Sequence, residues 1–472
     1  MIKAFKTTAI ASAIAVTLAA CGGGETDTAG IGGSGFISTG TITGFGSVYV
    51  NGVKFETGSA TFDIEGDSSG TSQADLAIGM VVSVNGTINS DGVTGNATSI
   101  IFDDQLQGPV SSKVVSADTL TATLTVLGTT VQIDKNSTSF DGTTFDSIAI
   151  NDNLEISGYV NSSGTLIASR VELETSNTVE LKGTISGLSG SSFTINTINI
   201  DASSATFDDL PNGLEDGLLV EVEGTFDDVN TITATRVENE ALELDDSDEF
   251  ELEGYITDFV DSSDFKINGI PVNASGAGVT FSPTSITLAN DLKVEVEGYI
   301  SNNVLIANEV KLRGGEVKIA AYVTSIDTNT NTFEVSPVIS QPAITISLGT
   351  ETEMKNEITD HESLTIFDLD IGDFILLEGF EDSSSVFASQ VKIVNFADTD
   401  GIEVQANIGE TNNDGYITVL GVQFVIDGGT TLKDNIESTI DESTFNLDAT
   451  SNPLISVVDS DYDGTIEAAE IE

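Results

Sequence analysis

The stretch VVDSDYDGTIEAAEIE, residues 457–472, carries Asp459, Asp461, Asp463, Gly464 and Glu470 at the spacing D-x-[DN]-x-[DN]-G-x5-E. That spacing is calcium chemistry. Carboxylates at the first, third and fifth positions, the backbone carbonyl of Thr465 at the seventh and a bidentate Glu470 at the twelfth would surround a hard cation with oxygen. An EF-hand also needs a helix on either side of the loop to fold the last glutamate back onto the ion. Here Asn452-Pro453 interrupts an entering helix, LISVV is strand-like, and only two residues follow Glu470. Three readings stay open: an EF-hand, a weak calcium site in an Asp-rich turn, and a solvated turn, with the flanks favouring the last.

Other chemistry is scarce. His361 is the single histidine and Cys21 the single cysteine, so zinc sites built from His or Cys and Cys/His catalysis are excluded. A Ser/His/Asp triad would have to use His361, in EITDHESLTIF, which reads as a solvated loop. There is no phosphate-binding G-x-x-x-x-G-K-[ST] loop. Carboxylate pairs for glycoside hydrolysis are a matter of arrangement, and 75 acidic residues supply only abundance. No catalytic residue is expected and the chain does not read as an enzyme; no cofactor is expected beyond weakly held calcium.

The charge balance is extreme, 16 Lys and Arg against 75 Asp and Glu, a formal net charge of −59. Such a surface repels phosphate backbones and excludes nucleic acid as a partner. A hydrophobic content of 39 %, with 46 glycines and no tryptophan, is enough for folded cores and favours strands and turns over helices.

The elements that would position these residues begin at an N-terminal targeting segment. Lys3 and Lys6 precede a mildly apolar run to Ala20, the layout of a signal peptide. Leu18-Ala19-Ala20-Cys21 resembles the bacterial lipobox, which implies acylation of Cys21 and a membrane anchor; an ordinary secretory cleavage site is the alternative. Gly22 after the cysteine fits sorting to the outer membrane. A Gly, Ser and Thr-rich tether follows to Thr39.

Beyond the tether one pattern recurs six times. Each unit opens on an alternating strand, as in GTITGFG, VELKGTISG and FELEGYITD, and closes on a hairpin, as in VEVEGTFDDVNTITATRVE and VEVEGYISNNVLIANEVKL. Glycines 86, 158, 224, 298 and 379 hold one place in successive closing hairpins. Asn51-Gly52 and Asn268-Gly269 mark a second hairpin near the start of a unit. Three meandering strands, a variable stretch and two more strands predict an all-β tandem array of small five-stranded OB-like barrels; open β-sandwich repeats are the alternative. Alternation such as Val220 and Val222 against Glu221 and Glu223 predicts an apolar face toward a core and an acidic face toward water. With no disulfide available, each unit is expected to be stable through its own core.

The expected segments are a signal peptide over 1–20, an acylated cysteine and tether over 21–39, and repeats over 40–106, 107–175, 176–241, 248–313, 314–396 and 402–472. GTITGFGSVYVNGVKFETGSATF at residues 40–62, followed by LAIGMVVSVNGTI at 76–88, resembles the bacterial family called domain of unknown function 5666. That family occurs in tandem on predicted lipoproteins, and the resemblance brings no catalytic residues with it. The expected role is a structural or binding protein of the cell envelope, held at the outer membrane through Cys21 and recognising a glycan or an envelope protein. A calcium-dependent adhesive module and a hydrolase of unknown type are the alternatives.

Overall fold

Alternation of β-branched and aromatic residues with polar ones makes strands with two unlike faces. The computed structural model describes residues 36–471 apart from short segments, the longest being 241–248 and 446–453. In the first unit, strands Phe36–Phe45, Val48–Val50, Val53–Glu56, Val81–Ile88 and Thr94–Phe102 close into a ring. The first strand pairs with the second and fourth, the third pairs with the second and runs parallel to the fifth, and the fourth and fifth form the closing hairpin. This is the OB strand order. Units two to five repeat it. In unit six, contact between the third strand and the final segment is reduced to one parallel bridge, Val425 to Thr465. The architecture is the expected array of small barrels, not open sandwiches.

Two kinds of glycine set the local geometry. Each glycine of the closing hairpins sits at a register shift, for example between Glu297 and Gly298. A Cβ on Gly298 would lie 2.1 Å from the carbonyl oxygen of Ile306, so the bulge lets the two backbones approach more closely than any side chain permits. Unit six has no such glycine, and its hairpin strands Leu454–Asp459 and Ala468–Ile471 pair without a shift. The glycine of the opening strand has a different use. Asn51 and Gly52 take φ of 52° and 77°, the left-handed pair of a type I′ turn. The Asn51 side chain then folds over Gly40, where a Cβ would lie 2.1 Å from its Oδ1.

Barrel closure leaves one edge unpaired. The second strand pairs only with the C-terminal half of the first, so the N-terminal half of each first strand exposes backbone donors and acceptors. In every unit that half-edge is taken by the first strand of another barrel. Phe36–Phe45 runs parallel to Glu249–Asp261 of unit four, in register from Phe36 with Glu249 to Thr39 with Leu252. Leu106–Val115 of unit two pairs antiparallel with Val179–Thr184 of unit three. Val317–Asp327 of unit five pairs antiparallel with Ile402–Asn412 of unit six. Barrels therefore pair as one with four, two with three, and five with six.

This pairing corrects three expectations. Units two and three pool one hydrophobic core running from Leu106 to Val237, and units five and six another from Val317 to Ile471, so stability is not unit by unit in those pairs, whereas units one and four each keep the expected core of their own. The first strand starts at Phe36, with Phe36 and Ser38 buried, so residues 36–39 belong to barrel one rather than to the tether. The outer acidic face is not uniformly in water: Glu221, Glu251, Glu253 and Glu295 are buried, because neighbouring barrels cover it.

Candidate functional site: the terminal acidic turn and the polar seams between barrels

The calcium-like spacing falls on the turn of the last hairpin, between strands Leu454–Asp459 and Ala468–Ile471. Asp459 is fully buried at the end of its strand. Its Oδ2 accepts the N–H of Gly464 at 2.7 Å and its Oδ1 that of Asp463 at 3.2 Å, so the carboxylate closes the turn. Burial raises its pKa against those hydrogen bonds. Asp463 accepts the N–H of Thr465 at 2.7 Å, and Asp461 and Asp463 both face solvent. The carboxylate that joins Asp459 and Asp461 within 4.8 Å is that of Glu467, not Glu470.

Glu470 lies buried on the outgoing strand, opposite Ser456 and beside Lys433. A strand rises about 3.3 Å per residue and carries a side chain away from the turn, whereas a helix would fold it back. The turn is flanked by strands, as its neighbours in sequence favour, and this leaves no place for the EF-hand alternative. Of the expected carboxylate ligands Asp459, Asp461, Asp463 and Glu470, the fold brings only Asp459 and Asp461 into one cluster of acids; Thr465, expected through its carbonyl, follows in the same turn. The Asp459 carboxylate is already engaged by backbone donors.

Cys21 lies outside the described residues. The backbone of His361 forms a two-residue strand with Glu362, opposite Asn356.

The densest polar chemistry sits where barrels meet. At the seam of barrels one and four, Ser38 donates to Glu251 at 2.6 Å, and Glu251 hydrogen-bonds Glu295. Glu295 is wholly buried between Lys311, at 2.9 Å, and Arg313, whose Nε donates to it at 2.6 Å. Burial opposes ionisation of both acids. The cations Arg313 and Lys311 hold Glu295 below its usual pKa, while burial and then the Glu295 charge push Glu251 well above its own.

Glu253 ties three barrels together. It accepts the Tyr159 hydroxyl at 2.9 Å and the Thr41 N–H at 3.0 Å, and pairs with Lys293, which lies 5.1 Å from the centre of the Tyr159 ring. Lys318 of barrel five reaches Asp134 of barrel two at 2.5 Å, and Lys135 reaches Asp400 at 2.8 Å. The sequence reading missed these residues. A signal for them exists in the scarcity of cations: of 16 in the chain, Lys182, Arg236, Lys293, Lys311, Arg313 and Lys318 each face acids that are largely buried.

A pH dependence follows from Glu251. Unfolded, it ionises near pH 4.3; folded, it keeps its proton to a higher pH. Above the unfolded value the native state holds the extra proton, so this contribution is complete at lower pH. It is lost as pH rises toward the folded pKa, at about 1.4 kcal/mol per pH unit. Glu251→Gln, which mimics the protonated form, is expected to match the parent at about pH 4 and exceed it in urea stability at about pH 8. Parallel pH profiles for the two proteins would refute the assignment.

No curated protein matches the chain. A solved structure of drosophila Unr CSD456 is similar at 14 % identity over 45 % of this chain and 99 % of that one, with a TM-score of 0.15, too low to bear on fold or function. The family model described as Domain of unknown function (DUF5666) matches four times, over residues 34–100, 107–172, 182–238 and 253–311, which are barrels one to four. Barrels five and six continue the same strand order beyond those matches. With more than half of its length matched in tandem, the chain belongs to the DUF5666 family.

Proposed function

We propose that this protein is a lipid-anchored structural or binding protein of the cell envelope, held at the outer membrane through Cys21 and presenting its barrels to a glycan or an envelope protein. The observation that carries this reading is Leu18-Ala19-Ala20-Cys21 after a basic and then apolar leader, followed by a Gly and Ser-rich spacer ahead of the first strand at Phe36. The barrels support it in two ways. Their buried ionic groups sit at seams between units, where they fix barrel on barrel. The OB strand order often serves oligonucleotides or oligosaccharides, and a net charge of −59 favours the uncharged class of ligand.

Cys21→Ser tests the anchor. The parent protein is expected in the membrane fraction, released only by detergent, and the variant in the soluble periplasmic or secreted fraction. An unchanged membrane fraction for Cys21→Ser would overturn the reading.

A further inference from the structure

A second acidic cluster lies where barrel one passes into barrel two. Glu65 follows the short strand Thr61–Ile64 and is held by its N–H donating to the carbonyl of Phe102 at 2.9 Å. Asp104 lies in the two-barrel linker, two residues beyond the last strand of barrel one, Thr94–Phe102. Glu155 projects from the strand Asn153–Val160 of barrel two, opposite Gln107 and Glu172. One carboxylate oxygen from each of the three lies within 4.8 Å of the others.

Clustered acids alone are commonplace in a chain of this charge. Asp104 sets this cluster apart. It is 1 % exposed, and neither of its carboxylate oxygens has a hydrogen-bond partner. A carboxylate stripped of water and given no donor is costly unless a cation or a proton meets it. The nearby cations are committed elsewhere: Lys182 to Glu221 and Glu240, each at 3.2 Å, and Arg170 to Asp141 and Glu172 at 2.8 and 2.7 Å. The remaining groups acting on the cluster are acids, namely Asp103, Glu172, Glu174, Glu180 and Glu221. Lys182 acts on Asp104 and Arg170 on Glu155 only through space, and the acids around the cluster outnumber them.

We infer that Glu65, Asp104 and Glu155 form a calcium site that clamps barrel one to barrel two. Ligand oxygens 2.3–2.6 Å from a shared ion lie no more than about 5 Å apart, which this triad satisfies. Three carboxylates with no nitrogen or sulfur donor select a hard cation over zinc or copper. Glu65 is exposed, leaving room for the waters that complete an irregular calcium shell, whereas magnesium demands near-octahedral geometry. Burial first, and neighbouring carboxylates second, raise Asp104 well above the usual carboxylate range and Glu155 to about 8, over the opposing pull of Lys182 on Asp104 and of Arg170 on Glu155. The site is independent of the anchor at Cys21 and of the terminal turn.

Calorimetric titration of the full chain with calcium chloride, at an ionic strength of about 0.15 M to screen diffuse counter-ions, tests it. Three variants accompany the parent: Asp104→Asn, Glu65→Gln, and the terminal pair Asp461→Asn with Glu467→Gln. The parent is expected to bind calcium at a saturable site, with affinity lower by about tenfold or more in Asp104→Asn and in Glu65→Gln. The terminal pair should keep that site. Glu65 is solvent-facing, so Glu65→Gln decides the matter if circular dichroism shows Asp104→Asn to be misfolded. No saturable binding in the parent, parental affinity in the correctly folded variants, or loss confined to the terminal pair would each overturn the inference.

Discussion

Glu295→Ala is expected to lower the stability of the full chain by about 3–5 kcal/mol in urea unfolding. Glu295 is inaccessible to solvent between Lys311 and Arg313, and Arg313 is only 6 % exposed at its side chain. Removing the acid leaves two cations facing each other in a dry seam. Arg313 also donates to the carbonyl of Asn51 at 3.2 Å, so its displacement loosens barrel one from barrel four. Part of the loss is recoverable, since Glu251 can ionise and replace Glu295 as their partner. The double variant Glu251→Gln, Glu295→Ala removes that rescue and should fall further than the two single effects summed. Glu309→Ala provides the control. Its carboxylate is 3.9 Å from Lys311 and far more exposed, so a change within about 0.5 kcal/mol is expected. A loss below about 1 kcal/mol for Glu295→Ala would mean that the seam is hydrated and that its charges are screened.

The second large effect concerns what folds as a unit. A fragment of residues 106–241 is expected to unfold in one cooperative transition, while residues 176–241 alone show none. Barrel three lacks a private core: Val179, Leu181, Val220 and Val222 pack in one cluster with Leu106, Leu154 and Ile156 of barrel two. Each aliphatic side chain returned to water costs roughly 1.5–3 kcal/mol, against a total of roughly 3–9 kcal/mol for a 60-residue domain. Excision also returns Glu180 and Leu181 to an open half-edge, where they had paired with Gln107 and Leu106. Thermal melts and proteolysis of both fragments read the difference. A cooperative transition in 176–241 at the midpoint of the longer fragment would show the cores to be separable.

The contrast between barrel and seam marks the boundary of what a linear pattern encodes. Strand order inside a unit was legible because it is written in short-range chemistry: period-two alternation, Asn-Gly turns with left-handed backbone at Asn51 and Asn268, and a glycine wherever the closing hairpin must bulge. The absence of that glycine in unit six, and the unshifted pairing found there, follow the same rule. The strand-like flanks of the terminal acidic turn were legible too, and they favoured a turn over a helical calcium loop.

What the sequence by itself determined is therefore the barrel, its repetition and the location of each turn, all of which depend on residues within a few positions of one another. Only the tertiary structure decided which half-edges meet. The first strands of all six units present interchangeable backbone donors and acceptors, so nothing local distinguishes a partner 70 residues away from one more than 200 away, as Phe36 and Glu249 are. That choice also decided the fate of the outer acidic faces. Alternation tells the two sides of a strand apart but not what covers the outer one, which is why Glu221 reads as solvated and is buried. The same limit hid Glu65, Asp104 and Glu155, which stand far apart in the chain and converge only because a linker threads between two closed barrels. A turn writes its own signature; a junction between closed surfaces is set by the shapes and charges that remain once those surfaces have formed.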